Sequence, residues 1–209
     1  MSGVVQSSGR LPGLQWAAVS LPLPGETVSG DLFLVHAIPN GVLLGVVDAL
    51  GHGPEAAVAA RTAVAAMDRH AESPIIPLFQ QSHEALTGTR GVVAALAAIN
   101  VKESTLTWAA VGNVEGVLVR SKPGSRRVSI IQIGGVVGYK LPRLSDSAPI
   151  RLARGDRLVF ATDGIREGFT EALNAIDPPA RLAETLIQRY VKGTDDALVL
   201  VAQYAGEDS

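Results

Sequence analysis

The tightest constraint on this chain is the recurrence of short, apolar, β-branched segments closed off by turn residues. Nine of them read as buried or half-buried strands: Leu14–Ser20, Asp31–Ile38, Gly41–Val47, Val92–Asn100, Thr105–Val111, Glu115–Arg120, Arg127–Ile133, Arg157–Ala161 and Ala197–Tyr204. Pro39-Asn40-Gly41 joins two of them, and Lys122-Pro123-Gly124-Ser125 joins two more. Helical periodicity occupies three stretches. Pro54–Ala71 is Ala-rich, with a proline suited to a first turn. Ile76–Leu86 follows Ser73-Pro74, and Pro179–Val191 follows Asp177, a candidate cap. Strands, a central helix pair, more strands and a late helix make an α+β chain. Two antiparallel sheets packed face to face, with helices outside, would bury such strands on both faces.

Within 209 residues there is no repeat and no dividing linker, so residues 14–204 are expected to form one domain. The Gly- and Ser-bearing start, residues 1–13, is expected to fray, and 205–209 to be a tail. Aromatic residues make up only 4%, so the core must be aliphatic. A net charge of −2 gives no electrostatic footprint for nucleic acid. The absence of cysteine excludes disulfides, thiolate metal sites and thiol nucleophiles. No secretory signal or bilayer-length apolar run is present, so a cytoplasmic protein is expected.

Four acidic sites stand where a strand begins or ends. Asp31 follows Gly30, Asp48 closes Val42–Val47, Asp163 follows Leu158–Thr162, and Asp195-Asp196 precedes Ala197–Val201. A buried strand holds a carboxylate rigidly at its end. Carboxylates gathered in this way repel unless a cation neutralises them, and hard divalent cations favour oxygen ligands. Taken singly, an Asp beside a Gly after a strand is most often a turn residue. The residues by themselves therefore stop at a possible oxygen-ligand metal site.

Together the motifs carry a resemblance. Gly30-Asp31, then Val47-Asp48-Ala49-Leu50-Gly51-His52-Gly53 with Ala56-Ala57, resembles the opening signature of PPM-type (type 2C) metal-dependent serine/threonine phosphatases of the bacterial stage II sporulation phosphatase E group. Ala161-Thr162-Asp163-Gly164-Ile165 resembles that group's TDG block, and Thr194-Asp195-Asp196-Ala197-Leu198-Val199 its closing DD block. In the middle, Arg90-Gly91, Ile99-Asn100 and Val111-Gly112-Asn113-Val114 are similar to the stressosome feedback phosphatases, which are lone phosphatase domains.

The resemblance implies a four-layer α/β/β/α sandwich. It implies two Mn²⁺ or Mg²⁺ ions between the sheets, activating a water that attacks phosphorus in line. Carried across residue by residue, Asp48 would bridge the metals and the Ala49 carbonyl would complete one of them. Asp163 and Asp195 would bind the other side, with Asp196 the alternative one place along, and Asp31 would contact a metal or its water. Asp48 and Asp163 are thus the catalytic candidates. His52, Arg90 and Asn113 are weaker substrate-binding candidates. His52 reads first as a turn residue, Asn113 as part of a structural turn, and Arg90 equally as a salt-bridge partner. His36, His70 and His83 read as ordinary strand or helix residues. The implied substrates are phosphorylated stressosome scaffold proteins with sulfate-transporter/anti-sigma-antagonist domains, whose dephosphorylation would reset general stress signalling. The alternative is an inactive phosphatase-fold binding module in a partner-switching pathway. Gly134–Lys140 lacks the spacing of a phosphate-binding P-loop and reads as a flexible turn over the sheet, lining the site.

Overall fold

A computed structural model describes residues 4–145 and 147–207. Two six-stranded sheets face one another. The first runs in the order β1 (Val5–Leu11), β2 (Leu14–Leu21), β12 (Ala197–Tyr204), β11 (Arg157–Ala161), β7 (Glu115–Val119), β8 (Val128–Ser129). The second runs β10 (Ile150–Arg151), β6 (Thr105–Val111), β5 (Val92–Asn100), β4 (Gly41–Ala49), β3 (Asp31–Ile38), with β9 (Gln132–Ile133) lying parallel to β6. Helices α1 (Gly53–Arg69) and α2 (Ile75–Ala85) cover the outer face of the second sheet. Helix α3 (Pro179–Tyr190) and a 3₁₀ turn over Phe169–Ala172 cover the first.

Three apolar clusters correspond to the three gaps between these four layers. Side chains alternate between the faces of a strand. Val42, Leu44 and Val46 of β4 therefore enter the space between the sheets, while Leu43 and Val47 pack under the helices. Likewise Leu198, Leu200 and Ala202 of β12 point inward, and Val199 and Val201 meet α3. Burial on both faces explains why these strands show no polar alternation in sequence. Small residues let α1 approach closely: Ala56, Ala59, Ala60 and Ala63 are buried against the sheet. A Cβ at Gly45 of β4 would lie 2.9 Å from Leu96 Cδ2.

Three expectations need correction. Residues 5–11 are not frayed: they pair along their whole length with β2, from Val5 opposite Ser20 to Leu11 opposite Leu14. Gly13, with φ +71°, makes the tight return that the Gly-rich composition had concealed. The expected strand Arg127–Ile133 is two short strands in different sheets. Ile130 is buried between the sheets, its N–H held by the Gly116 carbonyl, so the chain crosses over there. Asp177 does not cap α3. Its carboxylate accepts from Asn174 Nδ2 at 2.9 Å, and Pro178 precedes the helix with no side-chain cap.

Candidate active site

The inner faces of both sheets run out of apolar residues at one end. On β4 the inward series Val42, Leu44, Val46 continues to Asp48, which stands opposite Asp31 in the β3–β4 register. On the facing sheet, Leu158 and Phe160 of β11 are followed in step by Thr162, and Leu200 and Leu198 of β12 are preceded in step by Asp196. Period two thus carries three carboxylates and a hydroxyl to one end of an otherwise apolar core.

Asp31 is buried, and the Thr162 hydroxyl donates to its Oδ2 at 2.6 Å. The same hydroxyl accepts the Leu198 N–H at 2.8 Å, which commits its proton to Asp31. Burial, then the charge of Asp48, holds Asp31 well above the ordinary carboxylate range, against the lowering effect of Thr162. Asp48 is pushed up to about 7 by burial first and then by the charges of Asp163, Asp195 and Asp196, while its hydrogen bond with Asp31 works the other way.

Asp163 lies in the turn after β11 and accepts from Asn113 Nδ2 at 2.9 Å. The doublet divides its labour. Asp196 is buried and accepts two backbone N–H groups, Leu23 at 2.7 Å and Gly30 at 2.6 Å. It therefore fixes both ends of the segment leading into Asp31. Asp195 is half-buried; its Oδ1 accepts the Asp196 N–H at 2.8 Å, and it is the doublet member with lone pairs to spare. Ala49 is buried, with its N–H on the Gly30 carbonyl at 3.1 Å. Among the described residues no three histidine or acidic side chains are drawn into one closed cage.

The turn after Ala49 requires glycine, since Gly51 and Gly53 both have φ +78°. His52 is half-exposed, and its Nδ1 meets Glu26 Oε1 at 2.9 Å. Arg90 is engaged as an ion pair: its Nε and Nη2 both donate to Glu55 Oε2, and Nη1 donates to the Leu50 carbonyl at 3.4 Å. The phosphate role considered for Arg90 would require it to leave that partner. His36 pairs with Asp68 on the helix side, and His83 accepts the Gly138 N–H at 2.9 Å. The segment 134–140 is pinned rather than free: Val137 exchanges both backbone bonds with Val92, and Val136 does so with Lys140. Sequence reading missed Thr162, Glu26 and Glu55 as partners of candidate residues. Only Thr162 left a signal, through its inward parity with Phe160.

Comparisons with known proteins bear on the family and the fold. The family model described as stage II sporulation protein E (SpoIIE) matches residues 39–205. The phosphoserine phosphatase RsbX of Bacillus subtilis (strain 168) is 23% identical over 152 residues, covering 73% of this chain and 75% of that protein. The crystal structure of RsbX in complex with magnesium superposes with a TM-score of 0.85 at 19% identity, over 96% of this chain and 100% of that one. A chain from work on the bacterial stressosome, a modular system adapted to control secondary messenger signalling, is 30% identical, with a TM-score of 0.82 over 91% and 99% of the two chains. The catalytic domain of the serine threonine protein phosphatase PstP in complex with two manganese ions has a TM-score of 0.64 at 21% identity, over 92% and 98%.

Proposed function

This chain belongs to the stage II sporulation protein E family and is a metal-dependent serine/threonine phosphatase of the PP2C type, and from that premise we propose that it hydrolyses phosphoserine and phosphothreonine on stressosome scaffold proteins with a binuclear Mn²⁺ or Mg²⁺ centre. The observation that carries the reading is the facing pair of buried Asp31 and half-buried Asp48, which has no cationic side-chain partner among the described residues. Such a pair suits divalent cations, because a cation offsets the mutual repulsion of facing carboxylates.

Asp31, Asp48, Asp163, Asp195 and the Ala49 carbonyl are the groups that would hold the ions. When bound, the ions lower the pKa of water and polarise a phosphoryl oxygen. The other residues have supporting tasks. Thr162 orients Asp31, and Asn113 orients Asp163. Asp196 locks the approach to Asp31. Glu26 holds the His52 ring by Nδ1, which leaves Nε2 as the nitrogen available to a leaving oxygen. The stressosome partner rests on the likeness to RsbX and to the stressosome chain. A reducing cytoplasm suits a chain without cysteine.

The test is phosphate release from a phosphorylated stressosome scaffold protein, with and without Mn²⁺, by the wild type and Asp48→Asn. Mn²⁺-dependent release that falls more than about a hundredfold in the variant is the expected outcome. Full activity in Asp48→Asn would end the ligand assignment. Absence of both turnover and Mn²⁺ binding in the wild type would leave only a binding module.

A further inference from the structure

Resting on that reading, we propose that a rim beside the metal end, formed by Leu50, Arg90 and Tyr139, grips the folded body of the phosphoprotein substrate and makes the enzyme selective for proteins over small phosphoesters. Leu50 and Tyr139 are two of the few large apolar side chains left exposed, at 43% and 82%. Their backbones are tied to the site through the sheet. Ala49 is paired with Val92 of β5, and Val137 takes the place beside Val92 that β6 leaves open. Two strand spacings thus separate Ala49 from Val137, roughly 10 Å. Leu50 and Tyr139 each follow these positions by one or two residues. Arg90 lies between them, bonded to the Leu50 carbonyl and to Glu55.

The rim is rigid, which a surface turn has no need to be. The Val136–Lys140 bridge and the bond from Gly138 N–H to His83 close the turn that carries Tyr139. The turn also interlocks with its neighbour. A Cβ at Gly138 would lie 3.2 Å from Gly91 Cα, and one at Gly91 would lie 2.6 Å from Val136 Cγ1. An exposed tyrosine held on fixed backbone loses little entropy on contact, and tyrosine and arginine are enriched at interface hot spots, while Leu50 adds apolar contact area beside them. Glu55 already neutralises Arg90, so the rim offers contact area and a directional guanidinium rather than a free positive charge. The occupant is the protein substrate. A phosphoserine side chain is short, and reaching the carboxylate end brings the protein that bears it onto this rim.

The test compares wild type with Tyr139→Ala and Leu50→Ala on two substrates, a phosphorylated scaffold protein and p-nitrophenyl phosphate, both with Mn²⁺. The expected result is a loss of about tenfold in kcat/KM on the phosphoprotein, carried by KM, with p-nitrophenyl phosphate changed less than about twofold. Unchanged kinetics on the phosphoprotein, or equal losses on both substrates, would overturn the rim. If the wild type turns over neither substrate, the enzymatic reading fails separately. Calorimetric binding of the phosphoprotein then decides the rim: weaker binding by the variants supports it, and equal affinity overturns it.

Discussion

Two buried carboxylate sites in this molecule are built on opposite principles. Asp156, just before β11, is almost wholly enclosed. It has a guanidinium beside it, with Arg120 Nη1 at 2.8 Å, and accepts the N–H groups of Ser121 at 2.8 Å and Ala153 at 2.9 Å. At the other end of the sandwich Asp31 is equally buried, yet it receives one hydroxyl and faces another carboxylate. The first site is complete within the chain. The second has no cationic side chain beside it among the described residues, and its neighbours Asp163, Asp195 and Asp196 deepen the deficit. A buried carboxylate therefore marks function only once its partners are counted.

The sharpest way to break this contrast is to make the same change at both ends. Asp156→Asn opens an ion pair and is expected to cost about 3 kcal/mol, lowering the melting temperature by roughly 10 °C. Asp48→Asn removes an unneutralised charge, so it should raise the melting temperature of the metal-free protein at pH 8 by a few degrees, about 1–2 kcal/mol. Calorimetry that shows the same sign for both would erase the distinction.

A second, smaller effect is the pH response of the metal-free protein. Asp48 has a folded-state pKa of about 7 against an ordinary 3.8, so its protonated form is the one that folding favours. Its contribution is whole below about pH 4 and is lost as the pH rises through 7. Melting temperature should therefore fall across that window and be restored by millimolar Mn²⁺. A flat profile, or one indifferent to Mn²⁺, would contradict the reading.

The smallest effect concerns orientation. Thr162→Val removes the donor to Asp31 and should weaken Mn²⁺ binding about tenfold in a calorimetric titration, while Thr162→Ser, which keeps the hydroxyl, should stay near wild type.

Much of this contrast is legible in the residues. The apolar runs of β4 and β12 announce strands covered on both faces, and counting by twos from Val42 leads to Asp48. The family blocks then put Asp31, Asp163 and Asp195 in order. Other features depend on contacts between segments far apart in the chain, which local pattern does not encode. Glu26 and His52 meet across 26 positions, and Asp196 reaches Gly30 across 166. Strand β1 was hidden because Ser7, Ser8 and Gly9 have weak strand propensity, overridden by pairing with β2. The crossing at Ile130 was hidden because a continuous apolar run carries no sign of which sheet each half joins.

The grip of Asp196 on Leu23 and Gly30 also sets an order of events during synthesis. Strand β12 is the last in chain order, yet it lies inside its sheet, between β2 and β11. A ribosome-bound chain that has delivered Asp31 and Asp48 still lacks both the strand that organises the first sheet and the carboxylate that fixes the segment before Asp31. Under the proposed ligand assignment, the acidic end of the sandwich is therefore completed only when β12 docks between β2 and β11.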